Sequence, residues 1–371
     1  LAALAAYALT VVMQHGHDAS ANNYVLLADA WLHGRSWIAY PGERIDAVPF
    51  HGLAYIVEGP APAVLLLPFV ALSGMQTYQP LLANVLGAVI VFTTWRLADR
   101  EGLAFPVAAS VTAFAFFGTS IYTCATLGDV WFVAHVSAFC FTLLAIAECT
   151  GSGRAWLVAI YALFAAFSRF PLVTAIPLYA VALWLRERRM RDVASFAATL
   201  VPGFALSAWY DLVRWGTIGD PGFSIWYRVM DDRSLSGAPM FSARNIPMQI
   251  ATFVTKNPGL ASVYPFVVID DHGFSLLWTS LPFVYAVAAP RAISSALLWL
   301  GALATAIPAF TYYDTGQYQF GMRHALDFEA FVLVLLIAAL KRRPSRIVTA
   351  GLALFAIFGL YGGTVWLRAG L

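Results

Sequence analysis

Asp18, flanked by His15, His17 and Tyr24, is the first group in the chain able to move a proton. A carboxylate at a dry, interfacial position can have its pKa raised until it takes a proton from a hydroxyl. Asp18 could equally cap the helix that follows it. The same His-Gly-His-Asp run could hold a divalent metal, but it lacks a spaced second set of ligands, so no metal is expected. A second constellation is the loop Gly316-Gln-Tyr-Gln-Phe-Gly-Met-Arg-His. Arg323 and His324 there can hold a phosphate, which suits a guanidinium's forked donors. Alternatively Arg323 pairs with Asp327, one helical turn on. The third is Ser168-Arg169-Phe170-Pro171, where an Arg between two short apolar runs either lines a polar cavity or snorkels to the surface. Asp129 and His135 sit at a short turn. The acid pairs Asp231-Asp232 and Asp270-Asp271 have the form of solvated turns, since adjacent side chains point apart.

The elements that must position these groups are membrane spans. Of the 371 residues, 60% are hydrophobic and 11% charged, against about 25% charged in a soluble globule, which excludes that class. The mean hydropathy is +0.73. A net charge of +2 with scattered basic residues gives no sign of a nucleic-acid partner, and no Gly-rich phosphate motif points to a nucleotide. Cys124, Cys140 and Cys149 match no metal or disulfide framework and are expected as small buried hydrophobes.

Apolar runs place about 11 transmembrane helices, at 1–13, 78–97, 103–122, 130–149, 155–168, 172–185, 193–215, 275–289, 292–311, 323–340 and 347–367. The fold class is an all-α polytopic membrane protein. The chain begins inside an apolar run without an initiator Met, so its first span is expected to be incomplete. Arg186, Arg188, Arg189 and Arg191, with Lys341, Arg342, Arg343 and Arg346, mark the cytoplasmic side. Loops 14–61 and 216–274 then fall outside, as does the turn at 312–322, and nearly all the unusual polar chemistry lies on that face.

Extracytoplasmic interfacial helices complete the picture. Ser20 can cap a helix whose Tyr24, Leu27, Ala28 and Trp31 share one face, with Asn22, Asp29 and His33 opposite and Gly34 as its stop. Asn245 can cap another, with Pro247 in its first turn and Ile246, Ile250, Phe253 and Val254 on one side. The run 62–72 is too short to cross and is expected as a re-entrant or interfacial piece.

The order of segments carries a resemblance. LADAWLHGR, then GPAPAVLLLPFVALSG, then a span ending in Arg is similar to the first third of bacterial GT-C glycosyltransferases, relatives of the protein O-mannosyltransferases and the lipid A aminoarabinose transferases. WYDLVRWGTIGDPGF and YPFVVIDDHGFSLLWTSLPF resemble the two ends of such proteins' second outer loop. YYDTGQYQFGMRHALDF resembles the start of a late helix in related bacterial membrane proteins. The resemblance implies a bacterial inner-membrane transferase with its active site on the extracytoplasmic side. Its donor would be a polyprenyl-phosphate-linked sugar, its acceptor a hydroxyl on a glycan, lipid or protein, and it would need no cofactor.

On that pattern Asp18 takes the place of the loop acid as general base. Arg323, His324 and Arg169 steady the donor phosphate, and His17, Tyr24, Glu58, Gln317, Tyr318 and His135 contact substrate. This chain has Ala19 after Asp18 where the family carries a second acid, and Glu58 where many relatives have Pro. The large soluble C-terminal domain of some relatives is not expected, which points to a small or lipidic acceptor. A lipid or small-solute transporter would instead show inverted repeats and broken helices at the midplane. A structural subunit of a membrane assembly would leave these polar residues capped and paired.

Overall fold

The structure, a computed structural model, describes residues 1–14, 22–39, 45–230, 239–264, 266–268 and 272–369. Helices dominate. In chain order they begin with α1 (Ala2–Gln14), α2 (Asn23–Leu32), α3 (Ala61–Ser73), α4 (Gln79–Arg100), α5 (Phe105–Phe117) and α6 (Ile121–Leu127). Then come α7 (Val130–Thr150), α8 (Ala155–Ser168), α9 (Ile176–Glu187), α10 (Met190–Trp215), α11 (Gly222–Met230) and α12 (Ile246–Thr255). The last four are α13 (Leu276–Thr279), α14 (Ile293–Thr311), α15 (Leu326–Arg342) and α16 (Arg346–Ala369). Short 3-10 turns precede α9 and α15, and one at Leu281–Ala288 follows α13.

Among the described residues six helices are long and apolar enough to cross a membrane, or seven if α5 and α6 count as one span. α1, α3 and α8 are shorter apolar helices. The expected straight span at 103–122 is broken, for α5 and α6 meet at a bend of 52°. Gly118 sits at the corner, where an added Cβ would lie 2.2 Å from the Phe114 ring. That tight corner is closed from outside by α16, where Gly359 lies against the Phe117 carbonyl. α7 is buried almost end to end and forms the axis of the bundle, whereas α10 buries only Phe196, Asp211, Arg214 and Trp215. A helix left so apolar on its outside needs lipid around it; the chain is a multi-pass membrane protein.

Two features were not foreseen. A hairpin, β1 (Ala47–Phe50) and β2 (Leu53–Ile56), pairs Phe50 with Leu53 and Ala47 with Ile56 inside the first large loop. Its two turn residues, His51 and Gly52, both take positive φ, as a tight hairpin requires. A second pair, β3 (Gly259–Leu260) and β4 (Val267–Val268), lies in the second large loop. The helix expected after Ser20 is α2, with Tyr24, Leu27 and Ala28 buried and Gly34 at φ +69 ending it; Ser20 itself lies outside the described residues. In α12 the buried residues are Gln249 and Phe253, while Ile250 and Val254 are exposed. Asn245 donates to the Thr311 carbonyl instead of capping that helix.

The bundle has two chemically distinct ends. At one, Arg100 donates to the Ala147 carbonyl, Arg186 to that of Cys149 and Arg342 to that of Ala289, while Lys341 pairs with Glu101. Basic side chains at helix C-termini satisfy carbonyls that have no partner within the helix. At the other end the three large connections interlock. Arg214 of α10 reaches the hairpin, Gln249 of α12 donates to the carbonyls of Tyr312 and Asp314, and Gln319 donates to that of His272.

Candidate active site

Arg169 is delivered by the end of α8. The helix stops because Pro171 cannot continue it, and Arg169 turns extended at φ −141. Ser168, bonded to Ser137 at 2.8 Å, ties that end to α7. The guanidinium donates twice to Asp327 of α15, Nε to Oδ1 at 3.1 Å and Nη2 to Oδ2 at 2.9 Å. Asp327 is therefore committed to Arg169, and the pairing of Asp327 with Arg323 that one-turn spacing permits is not made. Arg323 instead donates to the Gln317 carbonyl, and its guanidinium lies over the rings of Trp131, at 4.8 Å, and Phe132, at 5.6 Å. Its Nε has no hydrogen-bond partner.

Two histidines stack between these cations. His135 and His324 have ring centroids 5.7 Å apart, and His135 Nδ1 lies 3.7 Å from Asp327. Neither ring nitrogen of His135 makes a hydrogen bond, although its side chain is fully buried. Tyr312 meets His324 edge-on at 5.8 Å.

The acids come from the first loop. Asp46 precedes β1 and Glu58 follows β2, so the hairpin register brings both to the same end. Burial pushes the Asp46 carboxyl up to about 6, against the opposing pull of Arg323. Burial raises Glu58 well above the usual range as well, and the charge of Asp46 adds to it. Neither Glu58 oxygen closes a hydrogen bond, even though its own backbone N–H, the Asn23 amide and Arg169 all favour its ionised form. Asp129, at the turn before α7, is pushed up to about 6 by burial, with its own backbone N–H and Arg323 acting the other way.

The hairpin is clamped from two sides. Arg214, 4% exposed, donates to the Ile56 carbonyl at 3.1 Å and to Asp211 and Asp220 at 2.6 and 2.9 Å, with its guanidinium carbon 4.1 Å from the centre of the Tyr210 ring. On the other side Gly59 abuts the backbone just before Arg169: a Cβ there would lie 2.3 Å from the Phe167 carbonyl oxygen. α2 is fixed by Gln79, which accepts from the Tyr24 N–H at 2.9 Å and donates to Asn23 and to the Gly128 carbonyl.

Of the residues singled out in the sequence, Tyr24, Glu58, His135, Arg169, Arg323 and His324 come together here. Tyr24 is fully buried within electrostatic reach of Glu58, Arg169 and Asp46, and its hydroxyl is unpartnered. Gln317 joins only through its carbonyl, and Tyr318 is turned outward at 53% exposure. The inward side chain of that loop is Gln319, which accepts from the Arg323 backbone N–H and donates to the carbonyls of Thr315 and His272. His15, His17 and Asp18 lie outside the described residues, as do Asp231, Asp232, Asp270 and Asp271. Sequence reasoning missed Asp46 and Gln319. Asp46 carries no motif of its own, and alternation along the 316–324 loop was the one available signal for Gln319. Among the described residues no cluster of three His, Cys, Asp or Glu could hold a metal.

No family model and no curated protein matches this sequence. Solved structures do match. ArnT from Cupriavidus metallidurans bound to undecaprenyl phosphate superposes with a TM-score of 0.52 at 14% identity, over 96% of this chain and 61% of its own. The chain thus spans about three fifths of that protein's length. The archaeal oligosaccharyltransferase AglB from Archaeoglobus fulgidus, in complex with an inhibitory peptide and a dolichol-phosphate, gives 0.46 at 13% identity over 99% of this chain and 55% of its own. The first likeness is one of fold: the chain shares the fold of ArnT over nearly all of its own length.

Proposed function

We propose that this protein is a membrane glycosyltransferase that takes a sugar from a polyprenyl-phosphate donor and places it on an acceptor hydroxyl at the extracytoplasmic face. The observation that carries this reading is the convergence of two loop carboxyls, Asp46 and Glu58, with two guanidiniums from distant helices, Arg169 and Arg323. A lipid-linked sugar brings its own activated leaving group. The site therefore has to supply a proton acceptor for the incoming hydroxyl and fixed positive charge for the departing phosphate. In the transfer, the acceptor oxygen bonds to the anomeric carbon as the bond from that carbon to the phosphate oxygen breaks. The hydroxyl proton passes to a carboxylate and the bonding electrons leave with the phosphate.

Arg323 is the phosphate ligand in this reading, with His324 beside it. Arg169 has N–H groups left after Asp327 takes two of its five. Asp46, poised near 6, is the general base best matched to neutral pH. Asp18 remains a second candidate for that role, and Glu58, His135 and Tyr24 line the substrate space. The arginine-rich end of the bundle, facing the cytoplasm by the excess of Lys and Arg, leaves the site on the far side. The test is release of polyprenyl phosphate from a polyprenyl-phosphate sugar by the purified protein. Asp46→Asn should slow it by about 100-fold or more; full retained activity removes Asp46 from the mechanism.

A further inference from the structure

α15 carries a second acid, Glu329, two positions past Asp327. At about 100° per residue the two side chains leave opposite sides of the helix. Asp327 faces Arg169 and His135, whereas Glu329 faces the segment from α13 through the 3-10 turn at Leu281–Ala288. There it lines a cavity of about 150 Å³ with Leu276, Ser280, Leu281, Phe328 and Val332. Glu329 is 2% exposed, and its Oε2 makes no hydrogen bond. Among the described residues no ion pair reaches it. Ser280, on the same wall, has its hydroxyl within reach of the Glu329 carboxyl as well as of the Gly118 carbonyl at 3.1 Å and Thr279 Oγ1 at 3.2 Å. A carboxyl oxygen left without a partner in apolar surroundings is costly, and a cationic donor would relieve it most.

The chemistry of the missing donor follows from the walls. Leu277, Leu281 and Val284 of the same segment are exposed on a helical membrane protein, so the cavity opens sideways toward lipid. Glu329 lies three residues, about 4.5 Å, into α15 from the end that carries the polar cluster, at a depth a headgroup can reach. The volume equals the liquid share of about five waters, enough for a short ammonium arm. We infer that this cavity, bounded by Glu329, Ser280 and Leu281, is a binding site for an aminophospholipid, its ammonium donating to the Glu329 carboxyl and its chains lying along the exposed leucines.

The inference does not depend on the proposed transferase activity. It is tested by native mass spectrometry of the detergent-purified protein titrated with phosphatidylethanolamine or phosphatidylglycerol of identical chains. Wild type should hold phosphatidylethanolamine at least about tenfold more tightly, since each tenfold is 1.4 kcal/mol and a charge-assisted bond supplies that much. Glu329→Gln should bring the two lipids level, and Leu281→Trp, which fills the cavity without touching the carboxyl, should weaken phosphatidylethanolamine alone. Undecaprenyl phosphate should bind Glu329→Gln as it binds wild type. Equal affinities in wild type, or unchanged phosphatidylethanolamine binding in both variants, would overturn the assignment. A matching loss of undecaprenyl phosphate in Glu329→Gln would also overturn it, by placing Glu329 in the polar cluster.

Discussion

Arg169 and Asp327, 158 positions apart in the chain, meet through two hydrogen bonds of 3.1 and 2.9 Å and fasten the end of α8 to the start of α15. Because this pair is neutral together, the net positive charge of the site falls to Arg323, which reaches no carboxylate among the described residues and lies over Trp131. Removing one partner strands the other in a buried position. Asp327→Ala should lower stability by about 3–5 kcal/mol, and adding Arg169→Met should return part of that loss. Thermal unfolding of the purified single and double variants measures both effects.

The pH dependence has a definite sign. Asp46 and Asp129 are both raised to about 6 in the folded protein, above the value near 3.9 of an unfolded Asp. Between pH about 4 and 6 the folded state therefore binds more protons than the unfolded one, and stability falls as pH rises through that window. Asp46→Asn and Asp129→Asn should each flatten the slope. Activity runs the other way in this account, rising through pH about 6 as Asp46 ionises. Unfolding midpoints and transfer rates from pH 4 to 8 measure the two trends.

Gly59 is where the segment after β2 that carries Glu58 touches the α8 backbone beside Arg169. Alanine there would put its Cβ 2.3 Å from the Phe167 carbonyl oxygen, so the two segments must part. Gly59→Ala should cost about 1–3 kcal/mol and weaken polyprenyl-phosphate binding at least about tenfold. Gly34, with φ +69 and open space around it, provides the contrast: Gly34→Ala should cost only about 1–2 kcal/mol of backbone strain and leave binding intact.

Arg214 holds the other side of the hairpin and joins it to the second loop through Asp220. Lysine keeps the charge but cannot reach the Ile56 carbonyl and two carboxylates at once with a fork. Arg214→Lys should speed amide exchange across 53–57 and 220–227 while leaving α7 and α15 protected. Hydrogen exchange of the two proteins in the same detergent gives the comparison.

The spans were legible because a membrane helix announces itself by length and apolarity, and α4, α7, α10, α14 and α16 fall close to where the apolar runs put them. Arg169, Arg323 and His324 were legible for the complementary reason, since polar groups beside such runs are costly and few. The partner of Asp327 was not. One-turn spacing made Arg323 the local choice, and a contact spanning 158 positions leaves no trace in periodicity. The Gly118 corner hid inside a continuous apolar run, because neither residue type nor hydropathy marks where a small residue permits a 52° bend. Asp46 was hidden too: its role comes from the hairpin that follows it, and four-residue strands carry too little alternation to stand out.

In the proposed transfer Arg323 holds the lipid phosphate at the point where the acids of the first loop converge. Affinity for undecaprenyl phosphate, measured on wild type and on Arg323→Gln with matched unfolding midpoints, tests it most directly. Wild type should bind, and the variant should bind at least about tenfold more weakly, the loss of one charge-assisted contact. Equal affinity in the two proteins would contradict the account.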